Sequence, residues 1–245
     1  MQIGVIDYGV GNIANAIRRL EHIATTERIV RVYTDRELKQ CDKIILPGVG
    51  AFGSAIEHLK ARGLNDALCE YAKSGRYLLG ICLGMQLLLD KSYEFGEHKG
   101  LGLISGEVVS FGSKKSIDWY MKTKIDSKKH IDFKYSKITH KDNILDKIQT
   151  DNKSNMQLKI PHIGWNKNFI KKPHDLCLHI QKSCYLYFVH SYHVCCDNEF
   201  IIATCDYGIS FPSIIGHDNI LGIQPHPERS HIAGFNLMRQ FLKLT

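Results

Sequence analysis

From Met1 to Leu89 short apolar runs alternate with segments of helical period, and this alternation constrains the fold more than any other feature. Met1–Asp7 reads as a buried strand. Ile13–Ala24 carries Ile13, Ala16, Ile17, Leu20 and Ile23 at helical spacing. Arg28–Tyr33 and Cys41–Leu46 read as strands, with Thr34-Asp35 capping a short turn or helix near Glu37 between them. Ser54–Arg62 and Leu64–Ser74 read as helices, with Gly75 as a C-cap. Tyr77–Ile81 is again an apolar run of strand length, and Leu83–Leu89 again a helix former. A parallel pair of strands needs a crossover of a dozen or so residues, which these helices supply. The expected class is α/β: a three-layer, open, mostly parallel sheet with helices on both faces. Such sheets bind ligands beyond the carboxyl ends of their strands.

Two of those strand ends are rich in glycine. The first is Pro47-Gly48-Val49-Gly50-Ala51-Phe52-Gly53, where unusual torsions or close approach of a ligand are expected. The second is Gly80-Ile81-Cys82-Leu83-Gly84-Met85-Gln86, a strand, a tight turn and a helix with a thiol at the corner. A nucleophile on such an elbow is pushed up from the sheet. A helix N-terminus favours its thiolate. The next backbone N–H, that of Leu83, points where an oxyanion would form. The bland alternative is a buried structural cysteine.

The second half is less regular. Leu101–Phe111 reads as a strand pair. Ser183–Val194, Ile201–Asp206, Ile209–Ile215 and Ile220–Gln224 read as strands, antiparallel in this half, and Ala233–Leu242 as a closing helix. Ser113–Lys159 holds twelve Lys against six Asp and no Arg or Glu, a net of +6. The whole chain carries +7, so the rest is near neutral and a basic, nucleic-acid-binding protein is disfavoured. A lysine-rich excursion of this kind is a solvated loop or a docking element. Eight scattered cysteines without a C-x-x-C pair, and no basic leader or apolar run of 18 residues, imply reduced thiols, a cytoplasmic setting and no membrane span.

Pro225-His226-Pro227-Glu228 follows a short apolar strand. The prolines fix the backbone around His226, and Glu228 is placed to orient its imidazole, the arrangement of a base with its orienter. Two other chemistries are set aside. Gly9 and Gly11 resemble a dinucleotide turn, but no acidic residue ends a second strand about twenty residues on. His190, His193, Cys195 and Cys196 are close in sequence, yet alternation along one strand would point the two histidines apart, so no metal is expected.

Together with Asp7-Tyr8-Gly9-Val10-Gly11-Asn12, Pro161-His162-Ile163-Gly164-Trp165-Asn166 and Phe188-Val189-His190-Ser191-Tyr192, these motifs resemble the class I (triad) glutamine amidotransferases. Within that class the pattern is similar to the glutaminase subunits of imidazole glycerol phosphate synthase. The resemblance implies a flavodoxin-like single domain over 1–245 with an insert at about 113–159. It implies a catalytic triad of Cys82, His226 and Glu228, and an oxyanion site at Gly48, Val49, Gly50 and Leu83. Gly50, Gln86, Glu94, Ser191 and Tyr192 would hold glutamine, and no cofactor is implied. It further implies ammonia delivery to a (β/α)8 cyclase subunit, HisF, in a heterodimer, for histidine biosynthesis. Pro225 stands where that family commonly has an aromatic residue. Two alternatives remain at this point: a paralogous glutaminase serving a sugar amidotransferase, and a non-catalytic binding module on the same fold.

Overall fold

The computed structural model describes residues 1–9, 13–126 and 159–245. Its N-terminal half runs β1 (Gln2–Ile6), α1 (Ile13–Ile23), β2 (Arg28–Val32), α2 (Asp35–Lys39), β3 (Lys43–Gly48), α3 (Phe52–Ala61), α4 (Leu64–Lys73), β4 (Leu78–Cys82) and α5 (Leu83–Leu87). Thr34 and Glu37 close a reciprocal capping box at the start of α2. Then come β5 (Leu89–Ser92), β6 (His98–Lys99), β7 (Ile104–Ser110), α6 (Lys114–Asp126), β8 (His162–Ile170), β9 (Ser183–His190), β10 (Tyr192–Cys196), β11 (Ile201–Tyr207), β12 (Ile209–His217), β13 (Ile220–Ile223) and α7 (His231–Lys243). Val10, Gly11 and Asn12, part of the first glycine motif, lie outside the described residues.

The main sheet has nine strands in the order β2-β1-β3-β4-β13-β12-β11-β8-β9. It is parallel from β2 to β13 and antiparallel from β12 onward. This is the expected α/β sheet with antiparallel strands from the C-terminal half. Alternation along the parallel strands sorts the core onto two faces. Ile6, Ile44, Leu46 and Leu78 pack under α2, α3 and α4. Ile3, Val5, Ile45, Leu79 and Ile81 pack under α1 and α7. Both faces are covered, as a parallel sheet requires. β3, β4 and β13 therefore lie side by side, and their carboxyl ends carry Gly48, Cys82 and the segment leading to His226.

Four expectations are corrected, and the lysine-rich segment gains a structured start. Ser183–Val194 is not one strand: β9 ends at His190 and β10 starts at Tyr192 in a second sheet, ordered β10-β7-β5-β6. The break at Ser191 resets the alternation, so His190 and His193 do not point apart. Both rings pack on Phe111, at 5.3 and 4.8 Å between centroids. Leu101–Phe111 holds one strand, β7, which pairs with β5 and β10 instead of folding on itself. The helix after Cys82 stops at Leu87, because Leu89–Ser92 is drawn into that second sheet. The lysine-rich segment opens with α6, which is anchored: Ser116 is fully buried with its Oγ 2.7 Å from His193 Nε2, and Trp119 Nε1 donates to Cys196 O at 2.9 Å. Residues 127–158 of that segment lie outside the described residues.

One buried cation ties the ends of the domain together. Lys43, 4% exposed at the start of β3, donates to the carbonyls of Phe241 (3.0 Å), Leu242 (2.6 Å) and Leu244. These are carbonyls at the C-terminal end of α7, where a cation meets both unsatisfied acceptors and the negative end of the helix dipole.

Candidate active site

Cys82 ends β4 and precedes α5 with φ 55° and ψ −112°, a conformation that L residues rarely adopt. The neighbouring glycines permit it. A Cβ at Gly80 would stand 2.5 to 2.7 Å from the Gly84 carbonyl and Met85 N, and one on Gly84 would collide with Leu46 O. The strand and helix thus approach at backbone distance, and β3 packs against the same corner. Gly48 pairs in register with Cys82, and a Cβ there would meet Gly84 N at 2.7 Å and Tyr8 OH at 2.9 Å. Tyr8, fully buried, donates its hydroxyl to Pro47 O at 3.2 Å and so fastens the start of the glycine loop. Burial and the neighbouring Cys82 push that phenol well above its ordinary value.

His226 lies between two prolines at the end of β13, 6% exposed, with its N–H donated to Tyr187 O at 2.8 Å. Its Nδ1 is 2.7 Å from Glu228 Oε1. A carboxylate only accepts, so Nδ1 carries the hydrogen and Nε2 is left to act. Nε2 is buried and has no hydrogen-bond partner of normal geometry. Burial pulls the imidazole pKa down; the Cys82 sulfur and the Glu228 carboxylate outweigh it, so His226 is raised above an ordinary histidine.

A cavity of about 350 Å³ opens beside the sulfur. Of the expected residues, Cys82, His226, Val49, Gly50 and Leu83 border it. So do Gln86, Glu94, Ser191 and Tyr192, which come from α5, the end of β5 and the β9–β10 break. Gly48 and Glu228 instead line a larger cavity of about 810 Å³, with Arg18, Arg19 and Arg229, that shares Val49, Val189 and His226 with the first. Glu94 Oε2 accepts from Phe52 N at 2.6 Å, so it caps α3 as well as bordering the cavity. The cavity can seat a small polar molecule with an electrophilic carbon above a thiol.

The sequence model of the family described as "Glutamine amidotransferase class-I" matches residues 4–243. The imidazole glycerol phosphate synthase subunit HisH of Sulfurimonas denitrificans is 42% identical over 98% of this chain and 97% of that protein. The chain belongs to the class-I glutamine amidotransferases, in their HisH family. The HisH subunits of Wolinella succinogenes (37% identical, 99% of both chains) and Bacillus subtilis (33%, 99% and 96%) agree. These matches span the lysine-rich segment. Solved structures share the fold: PurLQS from Thermotoga maritima has a TM-score of 0.64 at 16% identity, covering 99% of this chain and 97% of that one. The Trypanosoma brucei CTPS glutaminase domain with bound acivicin has 0.55 at 15%, covering 100% and 95%.

Three groups at this candidate site were given no role by sequence reasoning. Val189 O lies 3.9 Å from Cys82 Sγ and accepts from the thiol. Gln224, fully buried, has its Nε2 3.8 Å from the same sulfur. His162, sought only as part of a motif, sits with its Nδ1 3.0 Å from His190 Nε2. Gln224 was legible as the last residue of a strand aimed at the site. Val189 acts through its backbone and has no side-chain signal.

Proposed function

We propose that this glutamine amidotransferase releases ammonia from glutamine through Cys82, His226 and Glu228 and supplies it to a (β/α)8 cyclase subunit, HisF, for imidazole glycerol phosphate synthesis in histidine biosynthesis. The observation that carries the chemistry is the strained Cys82 elbow facing the cavity beside a His226–Glu228 pair. The near end-to-end similarity to HisH subunits carries the pathway.

In this proposal Gln86, Glu94, Ser191 and Tyr192 hold glutamine with its carboxamide over Cys82. The sulfur gives its proton to His226 Nε2 and attacks the carboxamide carbon. The oxyanion is held by N–H groups of Leu83 and of the Gly48-Val49-Gly50 loop. Protonated His226 then gives its proton to the departing nitrogen, and ammonia leaves from a glutamyl thioester. His226 next takes a proton from water, whose oxygen attacks the thioester carbon; the C–S bond breaks, His226 returns the proton to the sulfur, and glutamate leaves with the thiol restored. Glu228 keeps Nδ1 protonated throughout and stabilises the imidazolium.

A docked cyclase is supported by an apolar face beside this centre. Ile163 and Trp165 of β8 share one side of the sheet with Tyr185, Tyr187 and Val189 of β9, and Trp165 stacks on His231 at 4.9 Å. Ile163 is 59% exposed and Ile232, next to His231, 75%. An exposed apolar patch of this kind marks a protein interface. Val189 is shared by the two cavities, so the patch reaches the sulfur itself. In this proposal 1–245 is one domain with a lysine-rich insert at about 113–159, and the face that docks is formed by β8, β9 and the start of α7.

The test is glutamine hydrolysis by the chain alone, with the organism's cyclase subunit, and with cyclase plus its nucleotide substrate. Low activity alone, strong stimulation by the liganded partner and formation of imidazole glycerol phosphate are expected. A reactive Cys82 with no binding or response to the cyclase would redirect the proposal to a paralogous amidotransferase.

A further inference from the structure

We infer that Gln224 is a further residue of the catalytic centre: its side-chain amide donates to the Cys82 sulfur and holds the thiolate for attack, in an orientation imposed by the Tyr192 carbonyl through Gln86. The inference deepens the proposed glutaminase reaction and rests on Cys82 being its nucleophile.

The orientation follows from one backbone acceptor. Tyr192 O lies 2.8 Å from His190 Nδ1 and 3.0 Å from Gln86 Nε2. A carbonyl oxygen can only accept, so both nitrogens donate to it and its two lone pairs are used. Gln86 Nε2 has a second hydrogen, and Gln224 Oε1 stands 3.1 Å from it. That contact commits the Gln224 oxygen as acceptor. Its nitrogen must then face the other way, and 3.8 Å beyond it is Cys82 Sγ. Both glutamines are buried, Gln224 fully and Gln86 to 5% exposure, so no solvent exchange competes for these groups.

The second arm of the same carbonyl locks it in place. His190 Nδ1 donates to Tyr192 O, so His190 Nε2 is an acceptor and takes the Nδ1–H of His162 at 3.0 Å. His162 Nε2 in turn faces Asn166 Nδ2 at 3.3 Å, and that amide also donates to Asp206 O at 2.9 Å. Reversing the Gln224 amide would set oxygen against the sulfur and nitrogen against nitrogen. The polarity is therefore determined from the β8 surface to the nucleophile.

The sulfur has a different partner in each protonation state. As a thiol it donates toward Val189 O at 3.9 Å. As a thiolate it has nothing to donate and Val189 O repels it; the groups that then face it are the His226 imidazolium, the Tyr8 phenol and the Gln224 N–H, of which the Gln224 amide is a donor that does not itself titrate. A hydrogen bond to the charged form favours that form. Gln86 keeps its Oε1 for the cavity, so one side chain touches the substrate space and orients the group that holds the nucleophile.

The experiment reads the pH dependence of Cys82 alkylation by iodoacetamide in the full chain, by peptide mass spectrometry, for wild type, Gln224→Leu, Gln224→Glu and Gln86→Leu. The seven other thiols are raised by burial and serve as slow internal references. The midpoint is expected to rise by about one pH unit in Gln224→Leu, and further in the near-isosteric Gln224→Glu, whose carboxylate repels the thiolate. Gln86→Leu should move it the same way by less, because Gln224 stays but its oxygen is unhooked. A packing role would lower stability and leave the midpoint in place, so unchanged midpoints in these variants overturn the inference alone. Failure of wild-type Cys82 to react ahead of the other thiols overturns both the inference and the glutaminase proposal beneath it.

Discussion

Cys82 at φ 55°, His226 Nδ1 2.7 Å from Glu228 and Gln224 3.8 Å from the sulfur make the chemistry a matter of a few atoms. Replacing Glu228 by Gln removes the group that fixes the His226 tautomer, so His226 loses part of its raised pKa. Glutamine hydrolysis should then fall by about 10²- to 10⁴-fold, with the loss greatest where the imidazolium is needed as acid; a pH profile of kcat checks this. Cys82 and His226 were legible because glycine and proline flank them, and those residues announce unusual backbone. Glu94 was legible only through the family resemblance, as a residue that would hold glutamine. Its second job, accepting the Phe52 N–H, depends on α3 starting opposite the end of β5, which no local pattern encodes.

Element by element, close approach decides the outcome. A methyl group on Gly80 would press on the Gly84 carbonyl and Met85 N, so Gly80→Ala should destabilise the domain by roughly 1–3 kcal/mol and displace the elbow, read by urea unfolding and by Cys82 alkylation. Lys43→Met leaves carbonyls at the end of α7 without a donor and should lose about 1–3 kcal/mol, with hydrogen exchange rising first at the amides near Leu244. The first ninety residues could be read almost element for element, since βα units of helical and strand period declare themselves. The Ser183–Val194 run could not. It reads as one run of strand formers, with His190, Ser191 and His193 near its end, and only pairing with β7 shows that it changes sheets at Ser191. The alternation used to set a metal aside fails for the same reason, while the lack of a C-x-x-C pair, its other ground, stands. His190 and His193 instead meet around Phe111, within an aromatic and imidazole core between the two sheets.

For the molecule as a whole, that core makes stability depend on pH. Burial pushes His162 and His193 down to about 4, and His190 lower than an ordinary imidazole. The unfolded chain, with imidazoles near 6.5, then binds more protons between those values. The share of stability that these three imidazoles carry should be full above about pH 6.5 and decline as pH falls toward about 4, by about 1–3 kcal/mol per imidazole, whereas the raised His226 acts in the opposite direction as pH rises. Urea midpoints measured across that range check it, and His193→Phe should flatten the decline. The proposed glutamine-dependent activity belongs to the same scale, because ammonia released at Cys82 under that proposal needs a docked acceptor. The most direct measurement compares imidazole glycerol phosphate formation from glutamine and from an ammonium salt, by the complex of the cyclase with wild type or Cys82→Ala. The account predicts that wild type uses both nitrogen sources and that Cys82→Ala uses ammonium alone, losing glutamine-dependent synthesis by at least ~10³-fold. Retained glutamine-dependent synthesis in Cys82→Ala would contradict it.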